Sequence, residues 1–152
     1  MSHGSHWLHG LRRYLTVTAT GHLAWETAHL PLYTVWAEGT TRDRLVAVVH
    51  CTGGDILIAL SAWALAVFLA GRPGWPADTT WRVAVLTVAA GLAYTMFSEW
   101  LNTTIRQSWA YSEMMPVLPF IGIGLSPILQ WLVIPSLALG TAARGYYRRA
   151  HR

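Results

Sequence analysis

The sequence predicts an all-α polytopic integral membrane protein, a bundle of four transmembrane helices with no soluble domain. Of its 152 residues, 53% are hydrophobic and only 12% are charged, about half the charged fraction of ordinary soluble domains. Four apolar stretches are also long enough to cross a bilayer, which takes about 20 residues. The breaks between them are too short for a second domain, so residues 1–152 are expected to form one membrane domain.

The four spans are predicted at approximately 14–36, 45–70, 81–101 and 117–140. Each break between them has a different composition: charged at 38–44, rich in glycine and proline at 71–78, and polar at 102–115. Tryptophans mark several predicted ends because the indole ring is apolar while its N–H seeks the headgroup region. These are Trp36, Trp75, Trp81, Trp100 and Trp109.

The arginines predict the orientation, since positively charged flanks stay on the cytoplasmic side. All eleven basic residues are arginine. Eight of them flank one side of the predicted bundle, namely Arg12, Arg13, Arg72, Arg82, Arg144, Arg148, Arg149 and Arg152, and three flank the other, namely Arg42, Arg44 and Arg106. This predicts a bacterial-type inner (plasma) membrane protein with cytoplasmic tails at 1–12 and 142–152. Because the arginines lie between apolar runs, no nucleic-acid partner is expected.

The first span contains ionisable residues that a lipid-facing helix would not carry. His22, Glu26 and His29 are spaced i, i+4, i+7, which places them within roughly 60° on one helical face. An ionisable side chain near the middle of a span costs about 2.5–3.5 kcal/mol on insertion scales. This face is therefore expected to look into the bundle.

Further ionisable residues lie in the second and third spans, where His50, Asp55 and Glu99 occur. A helical rise of about 1.5 Å per residue puts His29 level with His50 and Glu26 level with Asp55. Glu99 would close the periplasmic mouth, and His22 would lie deeper. In the fourth span the prolines predict a bent wall, with Gln130 as a polar contact. The sequence thus predicts a His/Glu site open to the periplasmic leaflet.

One hypothesis for this site is a metal-dependent enzyme. Imidazole and carboxylate ligands suit zinc, or iron where carboxylates dominate. The predicted metal ligands are His22, Glu26, His29, His50 and Glu99, and the predicted catalytic residues are Glu26, Asp55 and Glu99. The substrate would be a lipid or another hydrophobic small molecule, because the site lies within the membrane.

Two alternatives stay open at the level of sequence. Four-helix bundles host b-type haem between facing helices, and His29 and His50 at one level could be axial ligands. The polar residues could instead pair with one another in a non-catalytic structural, assembly or proton-conducting protein. Besides membrane lipids, a homo-oligomer or a membrane partner is expected to help seal so small a bundle.

The segment from Phe97 to Pro135 also carries a resemblance. It contains Ser98-Glu99-Trp100, Trp109-Ala110-Tyr111 and a pattern of prolines and glycines. It resembles the polytopic carotenoid-modifying membrane enzymes, which combine a carboxylate with aromatic-rich loops. The likeness covers 39 of 152 residues, about a quarter of the chain, and assigns no catalytic residue.

Overall fold

The structure, a computed structural model, describes residues 3–71 and 80–150, with side chains from 8 to 144 within those ranges. The helices in chain order are α1 (His3–His29), α2 (Val35–Glu38), α3 (Thr41–Ala70), α4 (Thr80–Trp100) and α5 (Leu125–Ala150). A 3₁₀ turn (Leu30–Leu32) follows α1, and a π-helical turn (Leu101–Ile105) extends α4. No strand occurs in the described ranges. Arg72, Trp75 and Arg152, and the side chains of Arg148 and Arg149, lie outside what is described.

Three helical segments are long and apolar enough to cross a membrane: Thr41–Ala70, Thr80–Ile105 and Leu125–Arg144. They are compatible with a multi-pass membrane protein, as the sequence predicts. The helix α1 is not among them. It has the length, at 27 residues, but its histidines, threonines and Glu26 lower its hydropathy. A bundle of four spans therefore requires that α1 also crosses the membrane.

The start of the molecule departs from the predicted bounds at two places. The first span was expected to run from 14 to 36, but α1 ends at His29 and Pro31 lies in the 3₁₀ turn that follows. Proline has no N–H and cannot continue the hydrogen bonding of an α-helix. The second helix begins at Thr41 rather than 45, because Thr40 and Asp43 form a capping box at its N-terminus.

The predicted third span, 81–101, agrees with α4, whereas the predicted fourth span, 117–140, begins eight residues too early. The segment 117–124 is apolar but folds as a tight turn, in which the Leu118 N–H donates to the Ile123 carbonyl at 2.8 Å. Phe120 has a positive φ of 74°, which a helix does not allow. Only at Leu125 does α5 begin. We call residues 106–124, between the π turn and α5, the outer loop.

The long helices pack so that α1 contacts α3 and α5, and α4 contacts the same two helices. Their apolar contacts concentrate in one half of the molecule. This apolar core consists of Tyr14, Ala59, Trp63, Ala66, Val83, Trp131, Ala138, Leu139 and Ala142. Gly91 is required there, because a Cβ at that position would lie 2.1 Å from the Trp131 ring. The Tyr14 hydroxyl donates to the Ala59 carbonyl at 3.0 Å, so the buried phenol is satisfied.

Candidate functional site

Beyond the apolar core, the side-chain amide of Gln130 on α5 joins three helices. Its nitrogen Nε2 lies 2.8 Å from Glu26 Oε1 of α1, 2.9 Å from Asp55 Oδ2 of α3 and 2.9 Å from His22 Nδ1 of α1. All four side chains are buried, with 9% exposure or less. We call His22, Glu26, His29, Asp55, Ser126 and Gln130 the polar cluster.

Hydrogen-bond counting assigns the protons around Gln130, because an amide nitrogen has only two hydrogens for these three neighbours. His22 Nδ1 is also 3.1 Å from Asp55 Oδ2. A proton on Nδ1 donates to Asp55, which leaves the two amide hydrogens for Glu26 and Asp55. Asp55 Oδ1 further accepts from the Trp131 indole N–H at 3.3 Å. This tautomer, assigned from the contacts, satisfies both carboxylates.

A second chain of hydrogen bonds reaches Glu26 from α5. The Trp25 indole N–H donates to Ser126 Oγ at 3.1 Å, and the Ser126 hydroxyl is 2.9 Å from His29 Nδ1. His29 Nε2 is 3.0 Å from Glu26 Oε2. The Ser126 hydroxyl can donate to His29 Nδ1 while the His29 Nε2–H donates to the Glu26 carboxylate. Every polar atom in this series of hydrogen bonds then has a partner. His29 therefore orients Glu26.

Glu99 near the end of α4 is buried against phenols. Its Oε2 accepts from the Tyr111 hydroxyl at 2.5 Å and lies 3.5 Å from the Tyr33 hydroxyl. The Tyr111 oxygen also accepts from the Gly124 N–H at 3.0 Å. Burial, reinforced by the negative charge of Glu99, raises the pKa of Tyr111 above its ordinary value, so this phenol stays protonated and donates.

The outer loop is fixed over this end of the molecule by backbone contacts with the segment after α1. The Thr34 N–H donates to the Ala110 carbonyl at 3.0 Å, and the Ser112 N–H donates to the Leu32 carbonyl at 2.9 Å. The Tyr33 and Tyr111 rings pack with their centroids 5.5 Å apart. The loop thus brings Tyr111 to Glu99 although the two side chains come from different elements.

One cavity of about 850 Å³ connects these features. It lies within the range of about 300–1,000 Å³ that small-molecule sites occupy. Five residues predicted from sequence line it, namely Glu26, His29, His50, Asp55 and Glu99, together with Gln130. Apolar side chains, including Leu57 and Ile58, complete the wall. Leu57 of α3 and Tyr94 of α4 line the cavity and are also exposed, at 66% and 53%, so the cavity opens between these two helices.

The predicted site residues therefore differ in whether they belong to the polar cluster and whether they line the cavity. Glu26, His29 and Asp55 meet in the polar cluster and also face the cavity, while Glu99 faces the cavity from α4. His22 is fully buried beside Asp55 but does not line the cavity; its Nε2 has no hydrogen-bond partner, and its ring packs 5.3 Å from that of Trp131. His50 lines the cavity from α3 and is exposed.

The structure does not bring the predicted metal ligands into one coordination shell. Among the side chains that the structure describes, within residues 8–71 and 80–144, no three His, Cys, Asp or Glu side chains are arranged to hold a metal ion. The predicted ligands were His22, Glu26, His29, His50 and Glu99. His29 and Glu26 point at each other, and His22 points at Asp55. Zinc or iron would need these atoms to converge on a single point.

The hydrogen bonds of His29 also disfavour the haem alternative. Both ring nitrogens of His29 are engaged in hydrogen bonds, one with Ser126 and one with Glu26. Neither nitrogen is left for an axial bond to iron, and His50, which lines the same cavity, lies exposed on α3. An axial pair formed by these two histidines would need the cluster to be dismantled.

Sequence reasoning gave Gln130 only a minor role and did not identify Ser126, Trp25 or Tyr111 as part of the site. A signal was present on α5, because Ser126 and Gln130 are four residues apart and share a helical face. Their partners are 97 and 104 residues away in the chain, respectively. Such long-range pairs cannot be identified by spacing within one helix.

Comparison with known proteins gives no relative of this chain. No protein-family model, no curated protein and no solved structure is significantly similar to it. The resemblance of Phe97–Pro135 to carotenoid-modifying enzymes therefore stays a prediction, and the chemistry of the site rests on the contacts described above.

Proposed function

We propose that this chain is a four-span membrane protein whose cavity binds a hydrophobic small molecule, on which its buried carboxyl groups carry out proton transfer. The observation that carries the proposal is that Glu26, Asp55 and Glu99, from three different helices, line one cavity of ligand size. Ionisable groups inside a membrane are expensive and usually serve a function. Three of them around an apolar-walled cavity fit a binding and catalytic site better than they fit structural support.

The exposed face of α1 supports its assignment as the fourth span. The helix has 27 residues, a length of about 40 Å at 1.5 Å per residue. Its ionisable residues between 14 and 29 are all buried. The exposed threonines Thr16, Thr20 and Thr27 donate their hydroxyls to carbonyls one turn earlier in the same helix. A hydroxyl satisfied in this way can face lipid.

The arginine distribution supports an inner-membrane location with both termini in the cytoplasm. In that orientation the outer loop lies on the periplasmic side. Reporter fusions check this assignment: a periplasm-active phosphatase fused within the outer loop, after Glu113, is expected to be active. The same reporter fused after Arg152 is expected to be inactive, and the opposite pattern would contradict the orientation.

The contacts assign different roles to the three carboxyl groups. Asp55 is held by Gln130, Trp131 and His22, so its oxygens are already satisfied. Glu26 is in contact with His29, and an imidazole beside a carboxylate can supply or store a proton. Glu26 is therefore the group that exchanges a proton with the bound molecule, and Glu99, positioned by Tyr111, holds that molecule from the opposite wall.

Two features disfavour the alternative of proton conduction across the membrane. The side-chain amide of Gln130 stands between Glu26 and Asp55, and an amide does not relay protons as imidazole or carboxyl groups do. Beyond His22 the interior is occupied by the apolar core around Tyr14 and Trp63. The buried hydroxyls described in that half are those of Tyr14, Thr18 and Thr87, and no carboxyl or imidazole group among the buried residues that the structure describes continues the path there.

The proposal is tested with protein in lipid nanodiscs incubated with a membrane lipid extract in D₂O. The hydrophobic molecules retained by the protein are then identified by mass spectrometry. We expect one class of molecule to be enriched and to acquire deuterium with wild-type protein. Glu26→Gln should retain that molecule but lower the rate of deuterium incorporation by at least about 100-fold, the scale of general acid–base catalysis.

The matched control is Glu113→Gln, because Glu113 is an exposed carboxylate of the outer loop that does not line the cavity. It should retain the molecule and exchange deuterium like the wild type. Failure to enrich any molecule over empty nanodiscs would contradict the binding proposal. Equal deuterium incorporation by wild type and Glu26→Gln would contradict the catalytic role.

A further inference from the structure

The charges around the cavity are strongly unbalanced. Five carboxyl groups line it, namely Glu26, Glu38, Asp43, Asp55 and Glu99. The basic side chains of the lining are the imidazoles of His29 and His50 and one arginine, Arg106, which is exposed. A phosphate or carboxylate headgroup would therefore meet far more like charge than opposite charge, whereas a cation would meet the reverse.

Glu99 is the buried carboxyl group of this wall without a basic partner. Among the described residues, Asp55 and Glu26 each contact a histidine ring nitrogen, of His22 at 3.1 Å and of His29 at 3.0 Å. Glu99, with 8% exposure, is bonded at its carboxyl group by two neutral phenols, Tyr111 and Tyr33. Buried carboxylates in proteins are normally paired with a positive charge. The protein supplies the burial and the orientation here but not the cation.

A second and independent feature lies one turn earlier on α4. Thr95 lines the cavity with only 6% exposure, and its hydroxyl has no hydrogen-bond partner. Thr87 and Thr103 on the same helical segment donate to the carbonyl one turn earlier instead. The wall therefore offers an unused hydroxyl, which can accept an N–H, on the same helical face as Glu99.

The aromatic side chains around this wall fit the same ligand chemistry. Tyr33, Tyr94 and Trp109 line the cavity together with Glu99. Ammonium groups are attracted to the faces of aromatic rings, and sites for them commonly combine such rings with a carboxylate. Towards the opening between α3 and α4 the wall becomes apolar, with Val46, Leu57 and Ile58.

We infer that the molecule bound in the cavity is a hydrophobic amine, whose ammonium group pairs with Glu99 and whose apolar body lies along α3 towards the opening between α3 and α4. This inference rests on the proposed function, because it names the class of molecule that the proposed site takes. The ammonium donates to the Glu99 carboxylate and to the Thr95 hydroxyl oxygen.

The test measures binding of three radiolabelled probes with the same twelve-carbon chain, dodecylamine, 1-dodecanol and dodecanoate, to nanodisc-embedded protein, with empty nanodiscs subtracted. At pH 7 we expect saturable binding of dodecylamine, at least about tenfold tighter than that of the other two probes, because charge-assisted hydrogen bonds are the stronger kind. Glu99→Gln should weaken dodecylamine binding by about tenfold or more and leave 1-dodecanol unchanged. Glu113→Gln should bind all three probes as the wild type does.

The outcomes separate this inference from the proposed function. If 1-dodecanol or dodecanoate binds as tightly as dodecylamine, the cavity binds hydrophobic molecules but the inferred amine is wrong. The same holds if Glu99→Gln leaves the affinity for dodecylamine within about twofold of wild type. If no probe binds above empty nanodiscs and no molecule is enriched from the lipid extract, both the inference and the proposed function are contradicted.

Discussion

The apolar core and the polar cluster occupy neighbouring halves of the same helices and are built in opposite ways. In the core, Trp131 packs directly on the backbone of Gly91, and the one buried phenol, Tyr14, donates to a backbone carbonyl. In the polar half, carboxyl and imidazole groups surround a cavity of about 850 Å³. Trp131 belongs to both, because its ring fills the core while its N–H donates to Asp55.

This difference shows how one small chain supports ionisable groups in its interior. Close packing stabilises one half, while the other keeps an open volume and groups whose desolvation opposes folding. The polar half is then held together by hydrogen bonds that cross between helices. Substitutions in the two halves should therefore lower the free energy of unfolding by different amounts, which the following variants measure.

The largest effect is expected from Gln130→Leu. This change removes the donor shared by Glu26 and Asp55 and leaves two buried carboxyl groups short of partners. Breaking a buried charged network in this way should lower the free energy of unfolding by about 3 kcal/mol or more. Thermal unfolding in detergent micelles provides the measurement. The control is Gln107→Leu at the exposed second glutamine; equal losses for both variants would argue against the network.

A smaller loss is expected in the apolar core from Gly91→Ala. The added Cβ would lie 2.1 Å from a ring carbon of the fully buried Trp131, so α4 or the indole must move. Overpacking of this kind costs about 1–3 kcal/mol. Gly53→Ala is the matched control, since a Cβ there meets nothing within 4 Å. The core packing would be wrong if the two variants had the same unfolding midpoint.

Ser126→Ala should cost less again. It removes the hydrogen bonds of the Trp25 N–H and of His29 Nδ1, and because both bonds are only part-buried each contributes about 0.5 kcal/mol, the lower end for a hydrogen bond in a protein. Ser136→Ala on the same helix removes a hydroxyl that only bonds the Leu132 carbonyl. That control should change the unfolding free energy by less than about 0.5 kcal/mol. Deuterium incorporation should slow only in Ser126→Ala, because His29 loses its orientation.

The smallest effect is expected at the rim of the cavity, from Thr40→Ala. The threonine hydroxyl caps α3 in a reciprocal arrangement with Asp43. Losing an N-cap typically costs about 0.5–1 kcal/mol, and here the capped end is exposed to solvent. Thr41→Ala, the neighbouring exposed threonine, serves as control in the same unfolding measurement. No difference between the two would mean that the cap contributes nothing to α3.

The sequence was most informative where periodicity determines the outcome. The interiors of α3, α4 and α5 and the inward stripe of His22, Glu26 and His29 follow from apolar length and helical spacing. The predicted span bounds differ from the helix bounds where an apolar segment does not form a helix. Residues 117–124 are mostly apolar, but Pro119 and the left-handed backbone of Phe120 and Gly122 make them a turn.

Helical spacing predicts which ionisable residues share a face or a depth, but not how their side chains are connected. Depth along the helices brings Glu26 level with Asp55, yet it cannot tell whether imidazole nitrogens and carboxylate oxygens face a common metal or each other. The second arrangement is the one found, since His29 bonds Glu26 and His22 bonds Asp55. The choice depends on Gln130, whose amide fills the position between the carboxylates.

The central claim is that carboxyl groups of α1 and α3 converge on the Gln130 amide inside the membrane. Solid-state NMR can measure this directly in nanodiscs, using protein with ¹⁵N in the glutamine side chains and ¹³C in the aspartate and glutamate carboxyls. Gln107→Asn leaves Gln130 as the remaining glutamine. We predict nitrogen-to-carbon distances of about 3.5–4 Å to both Glu26 and Asp55, as hydrogen-bonded pairs require. Distances beyond about 6 Å to both, too long for any hydrogen bond, would contradict the account.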